Sequence, residues 1–589
     1  MKISNKHTNV QNVSFSDFSG GLNTTKAPET IAENELAQSV NLEISQGQLR
    51  TCAGTDELFK DETKQFINIM YDHIGDVFIL IDSDHNVYSL THGEYSLVRL
   101  GKLTGDSDVQ YAAWENGILI ASGGRLQYYH NGNLDTIAGS FSQDSTNWSK
   151  AMPTDWVADN KYIVGDVVVY DEKYYVCKSE HTSASDFSVD SWSEKTLAAW
   201  KFATFYEKYS LVESEENIYV AKNTHISISD APTVCHGVFI KSGRVWVYCD
   251  DELHASAVGD ENNWTNISND SSSSQWLQIG YKDGGYITGV CALSSDILIF
   301  KSNHYAYHLA GDFPNWTLSE IGRQIDCKDY NDCVSLANAS LVLGKTMVQA
   351  IATTEAYGDM RAQEISAKIS YDIADMGSVK VRYIPSLNQV WFISGESTFL
   401  FLDLNNNGFF RRAYTSPLMD AVEAQGNIYL VKNNGVYVLN SDHMRDERAG
   451  LRWKFQTKTL VAANAYLIKR VRVDVTPYYR NYALARFKVG DVVADISIPN
   501  NLYIYQDYSV VYGNKRSLKN KKRKSMWLNS DYIYDNDEYI YQNPEPIYHT
   551  GMYRTDIRCV NRKQAIKAYA HGSGGMTIFN AVSFEIAEV

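Results

Sequence analysis

In DLNNNGFF, Asp403, Asn405, Asn407 and Gly408 stand at the spacing with which a calcium loop gathers oxygen ligands. Such a loop needs an acidic group at its twelfth place, where this chain has Tyr414, so a hairpin turn is expected instead. Asp82–Asn86 (DSDHN) fails in the same way. The eight cysteines include no CxxC pair. The closest two, Cys327 and Cys333 in CKDYNDC, lack the second pair of Cys or His that zinc normally takes, so free and mostly buried thiols are expected. Neither a metal nor a cofactor is expected. Nor is an enzyme: there is no nucleophile elbow and no Asp-box phrase, and the 14 His lie singly. The Gly-rich HGSGGM near the end is followed by no phosphate-cradling lysine. Two other features stand out. One is the basic run NKRSLKNKKRKSMW, with Lys515, Arg516, Lys519, Lys521, Lys522, Arg523 and Lys524. It reads as a solvated loop or as a contact to DNA phosphate or to an acidic neighbouring subunit. The other is a compact aromatic island at 153–197.

The elements that must hold these features are strands. The chain has 589 residues, 44% hydrophobic and 21% charged, with 40 Tyr and 12 Trp against 10 Pro. That length exceeds what one core serves, and the aromatic excess favours pleated, half-buried surfaces. No run approaches the roughly 20 apolar residues that span a bilayer. The opening MKISNKHTNVQ lacks the apolar core of a secretory signal, so synthesis in a bacterial cytoplasm is expected. The formal charge of −16 disfavours wrapping around nucleic acid, although it suits a tube wall past which DNA must slide.

From about 65 to 447 short alternating segments recur at regular spacing, among them DVFILID, GILIASG, RVWVYCD, DILIFKS, QVWFISG and STFLFLDL, each ending in turn residues. Asn427–Lys432 and Val436–Asn440 read as a hairpin. The phrase "apolar strand, Gly-Arg, apolar strand" recurs at Gly117–Tyr129 and, with Gly243-Arg244, at Val238–Cys249, which favours a propeller over a sandwich. One short helix is expected near Glu33–Val40, following Pro28. The expected architecture is therefore all-β: an N-terminal arm with a short helix (1–64), a β-propeller in two parts (65–152 and 198–447), an inserted small β module (153–197) and a C-terminal β-sandwich-like platform (448–589).

The opening FSGGLNTTKAPETIAENELAQSVNLEISQGQLRTCAG resembles that of the tail hub and nozzle proteins of short-tailed bacteriophages. The resembling positions are Phe18, Gly20, Gly21, Leu22, Asn23, Pro28, Ile31, Asn34, Glu35, Asn41, Leu49, Arg50 and Gly54. Further along, Ser256, Gly259, Asp260 and Trp264 carry a "Ser, two residues, Gly-Asp, Trp" phrase similar to the family's, and ITGVCALSSDILIFKS resembles its next blade. The likeness covers nearly the whole chain outside the island, and the final domain matches only in its strand pattern. It implies a virion protein forming a ring, usually of six copies, that continues the DNA channel below the portal and adaptor proteins and serves genome retention and ejection. Its implied partners are copies of itself, portal or adaptor proteins, tail fibres or other tail proteins, and double-stranded DNA passing without sequence specificity.

The island resembles the small carbohydrate-binding modules of chitinases and cellulases at Trp156, Tyr162, Gly165, Asp166, Val167, Val168, Tyr170, Tyr174, Tyr175, His181, Thr182 and Trp192. Aromatic faces stack on the apolar C–H faces of sugars. The resemblance therefore makes Trp156, Tyr174, Tyr175, His181 and Trp192 candidate glycan contacts. So small a module must also spend aromatics on its own core, and Trp156, Tyr162, Tyr170 and Trp192 are expected there. Tyr174 and Tyr175 face opposite ways if they lie on a strand, so at most one can meet a ligand. The rival function is accordingly host-glycan recognition by a receptor-binding tail component.

Overall fold

The computed structural model describes residues 10–137, 147–201, 204–214, 217–226, 231–264, 270–293, 296–311, 315–336, 339–353, 360–477, 483–489, 492–498, 505–506, 511–512, 553–573 and 577–588. The chain is all-β and divides into two compact units. One comprises Met1–Leu103, Gly284–Ala310 and Thr317–Val589, and the other Thr104–Asp283 and Gly311–Trp316.

The first unit carries five four-stranded antiparallel meanders. Their first strands are Phe66–Asp72, Ile287–Ala292, Cys333–Ser335, Lys380–Ile384 and Leu418–Ala424. These lie side by side in the order Ile287, Cys333, Lys380, Leu418 and Phe66, which is the succession of inner strands in a propeller. Polar side chains tie the inner strands together. Arg382 Nε meets Asp420 Oδ1 at 2.8 Å, and Asn68 Nδ2 donates to Asp420 Oδ2 at 3.2 Å, joining three meanders at one buried carboxylate. The last meander takes its outer strand, Gly54–Lys60, from the N-terminal region.

The same unit holds two six-stranded sheets in which both ends of the chain meet. Val10–Phe15 pairs with Thr577–Glu588, and Gln48–Thr51 pairs with the same strand further along. The segment expected as a helix is a strand: Glu35–Val40 runs antiparallel to Arg452–Thr457. Its partner lies more than 400 residues away, and pairing with it outweighs local preference. Among the described residues the α-helix is the five-residue Ser370–Ala374. Phe18, Leu36, Leu42 and Leu49 share one apolar core with Trp453, Phe455, Phe579 and Phe584, and with Trp391, Phe401, Leu430 and Tyr437 of the last two meanders. The described strands after 448 are thus built together with residues 10–51 rather than apart from them.

The second unit carries two further meanders, Gln110–Thr136 and Gly237–Gln278, whose first strands adjoin. Between them in sequence lie, among the described residues, two four-stranded and two two-stranded sheets that include the aromatic island.

Candidate functional site

The island is larger than its sequence bounds, because the chain folds the same module twice. One sheet orders Thr154–Asp155, Val167–Tyr170, Lys173–Cys177 and Trp192–Lys195; the other orders Leu197–Ala199, Leu211–Ser214, Asn217–Ala221 and Trp148–Ala151. In each the short first strand is parallel to the second and the rest are antiparallel. Trp148/Trp192, Trp156/Trp200, Tyr162/Tyr206, Val168/Val212, Tyr175/Tyr219 and His181/His225 are each 44 residues apart.

Side-chain chemistry repeats as well. The Tyr162 hydroxyl accepts from the Val157 N–H at 2.8 Å, and the Tyr206 hydroxyl accepts from the Lys201 N–H at 2.8 Å. His181 Nδ1 lies 2.9 Å from the Ser179 carbonyl, and His225 Nδ1 2.9 Å from that of Asn223. Each histidine ring meets its tryptophan edge to face, at 5.2 Å and 4.7 Å. The first module is nested in the second, since the Trp148 strand precedes it and closes the sheet that follows it. The two copies meet through Val167, Val176 and Tyr174 against Leu211, Val220 and Ile218. These are again equivalent positions, so the contact is self-complementary.

This architecture sorts the candidate glycan contacts. Tyr175 and Trp192 are buried in the first module's core with Tyr162, Val168 and Cys177, which removes both from a ligand's reach. Tyr174, on the opposite face of the same strand, packs at the contact between modules. His181 is half-buried against Trp192. Trp156 is half-buried and joins a surface cluster that sequence reasoning missed. Tyr170, expected in the core, is 40% exposed and stacks on Phe187 at 4.2 Å with 12° between the rings. Trp156 meets both rings edge-on at 5.6 Å. The second module has Ser214 where the first has Tyr170, and Ala231, 44 residues on from Phe187, is buried among the apolar residues of the neighbouring meanders, so the stacked pair exists once.

The other sequence candidates resolve as structure. Asp403 accepts the Asn405 N–H at 2.9 Å in a hairpin turn, and burial raises its carboxyl above the ordinary value. Asp82 accepts from the backbone N–H of Asp84 and of Asn86, and from the Tyr88 hydroxyl. The basic run from Lys515 through Lys524 lies outside the described residues. Cys327 and Cys333 cluster with Cys291, two buried thiols and one partly buried, and a Cβ on Gly289 would lie 2.7 Å from the Cys333 sulfur and 2.8 Å from that of Cys327.

The N-terminal phrase has a definite use. Gly21 has φ +70°, and a Cβ there would sit 2.8 Å from the Cα of Gly408, so the two backbones touch where a side chain does not fit. Asn23 Nδ2 donates to Glu35 Oε2 at 2.8 Å, which also accepts the Ala32 N–H at 2.8 Å. Asn41 donates to the carbonyls of Ala413 (3.0 Å) and Arg452 (2.8 Å) and accepts the Ala413 N–H at 2.7 Å. Glu43 receives Arg50 Nε at 3.0 Å and Arg412 Nη2 at 3.0 Å, and the Arg412 guanidinium lies over the Trp391 ring. A cleft of about 370 Å³ opens here, lined in part by Glu43, Arg50, Gln389 and Asp403. Both oxygens of its Glu43 carboxylate are committed to these arginines.

No family model matches the chain, and no curated protein matches its sequence. Among solved structures it is similar to BamB from Moraxella catarrhalis at 9% identity and a TM-score of 0.32, over 73% of this chain and 97% of that one. A likeness at that level adds nothing to the strand arrangement already described.

Proposed function

We propose that the chain is a non-enzymatic structural subunit of a bacteriophage tail, a ring-forming hub or nozzle through which the genome passes. The observation that carries this reading is the use of the N-terminal phrase. Phe18, Gly21, Asn23, Glu35, Asn41, Leu49 and Arg50 fasten residues 10–51 between the last meanders and the C-terminal sheets. The resemblance therefore rests on residues that set the architecture, not on surface positions free to drift. In this reading the copies assemble with portal or adaptor proteins above and with fibres or other tail proteins around them, and the protein resides in the virion. Native mass spectrometry and negative-stain imaging of the purified chain test it. A closed ring with a central channel is expected, six-fold by the resemblance. A monomer at every concentration up to the solubility limit overturns it.

A second reading, host-glycan recognition, is favoured by the Trp156–Tyr170–Phe187 platform alone. Pull-down of the full chain on insoluble chitin and cellulose tests it. Tyr170→Ala is expected to weaken retention by about 1–3 kcal/mol, the worth of one stacked ring. Equal retention of parent and variant refutes a role for the platform.

A further inference from the structure

We propose that Cys249, Glu252 and His254 bind a divalent metal ion of borderline softness, of the zinc or cobalt class. This inference stands apart from the tail reading and concerns the meander at Gly237–Gln278. Cys249 and Glu252 are directly opposed residues closing the two-residue turn Asp250–Asp251, where Asp250 has φ +47°. His254 follows Glu252 by two positions on the same strand and so projects from the same face. One donor atom from each residue, Sγ, a carboxylate oxygen and a ring nitrogen, lies within 4.8 Å of the other two. His254 Nε2 is already 3.0 Å from Glu252 Oε2. Ligands around tetrahedral zinc stand roughly 3.3–3.8 Å apart, given bond lengths of about 2.0–2.3 Å. Closure by about 1 Å, within the reach of side-chain rotation, completes the half-shell, and water takes the fourth place.

The surroundings favour a cation. Burial, and then the carboxylates of Glu252, Asp250 and Asp251, hold the Cys249 thiol up at about 11. Cys235, from the segment leading into this meander, is raised to about 12 by its own burial and then by Cys249. His254 is held below the ordinary imidazole value by burial, against the pull of Glu252. The site therefore brings together a thiol, a carboxyl group and an imidazole, with Asp250 and Asp251 in the turn beside them. Binding replaces the thiol proton: Cys249–SH and M²⁺ give Cys249–S–M⁺ and one H⁺ released to solvent. The imidazole moves its proton to Nδ1 if it starts on Nε2.

The test is titration of the full-length, reduced chain with Co²⁺, reading the near-ultraviolet thiolate-to-cobalt charge-transfer band and the protons released. One equivalent of band-forming cobalt, displaced by Zn²⁺, is expected in the parent and in Cys333→Ser, which controls for the separate buried thiols. The band should vanish in Cys249→Ser, and affinity should fall at least tenfold in His254→Gln and in Glu252→Gln. Cys249 is only partly buried and its replacement nearly isosteric, and the thermal transition without metal checks that each variant folds. Absence of the band in the parent, or its persistence in Cys249→Ser, overturns the proposal.

Discussion

Replacing Trp148 by Ala should unfold a sheet that lies mostly 50 to 70 residues downstream and spare the first module, 154–195, that lies between. Trp148 is 6% exposed and meets Tyr206 edge-on at 5.3 Å and His225 at 4.7 Å, inside the second module. Truncating a buried tryptophan costs about 3–5 kcal/mol in lost transfer energy and residual cavity. At about 1.36 kcal/mol per factor of ten, local opening becomes roughly 160- to 5,000-fold more frequent. Hydrogen exchange read by mass spectrometry on the full chain resolves where. Protection should fall across Leu197–Ala199, Leu211–Ser214 and Asn217–Ala221, while Val167–Tyr170 and Lys173–Cys177 keep theirs. Trp192→Ala should do the reverse, because Trp192 closes the first module against Tyr162 at 5.0 Å. The Val167–Leu211 contact couples the modules, but losing that one face is a smaller perturbation than opening either core. If Trp148→Ala deprotects 154–195 before 211–221, the nested arrangement is wrong.

Three further outcomes follow from individual sites. Asn41→Ala breaks three partly buried hydrogen bonds and places a Cβ-bearing residue without local compensation at φ +55°, so chemical denaturation should show a loss of about 2–4 kcal/mol, with Asn41→Gly milder by about 1 kcal/mol. Gly289→Ala drives a methyl against two thiol sulfurs and should lower stability by about 1–3 kcal/mol, and adding Cys333→Ala should recover part of it in a double-mutant cycle. Burial works against ionisation of Glu35, but the Ala32 N–H, Lys368 and Asn23 outweigh it and hold the carboxyl below its ordinary 4.5. A depressed carboxylate stabilises the fold above its unfolded pKa and loses that contribution as pH falls through the folded one. Urea midpoints measured from about pH 6 down to about pH 3 should therefore fall less steeply below 4.5 in Glu35→Gln than in the parent; parallel slopes would refute the assignment.

The meanders were legible because each strand carries its own signal: an apolar run, unbroken or alternating, over four to seven residues with a turn at each end. Phe66–Asp72, Gln389–Ile393 and Asn427–Lys432 are all readable from their own residues. Glu35–Val40 was misread as a helix because six residues on a pleated edge carry no mark of a partner beyond position 450. The proposed Cys249 site escaped for a related reason. Its ligands are assembled by a cross-strand pair and an i+2 neighbour, whereas pattern search looks for paired Cys and His.

The second module was legible and overlooked, since Trp, Trp, Tyr, Tyr and His recur at a constant offset of 44. Its last strand comes first in the chain, which hides the repeat from any reading that cuts the island at its densest aromatics. Once seen, the repeat separates fold from function without any homologue. Positions held in both copies, Trp148/Trp192, Tyr162/Tyr206, Tyr175/Tyr219 and His181/His225, are those that close the cores. The resemblance to sugar-binding modules rests largely on such positions, and for that reason Tyr175 and Trp192 are out of reach of a ligand. Tyr170 has no aromatic counterpart at Ser214, so the common fold does not require it. A ring that the fold does not require, stacked on a second and left 40% exposed, is free to meet a partner. Under the glycan-recognition reading proposed above, the contact surface would therefore lie where the two copies differ, on the first module.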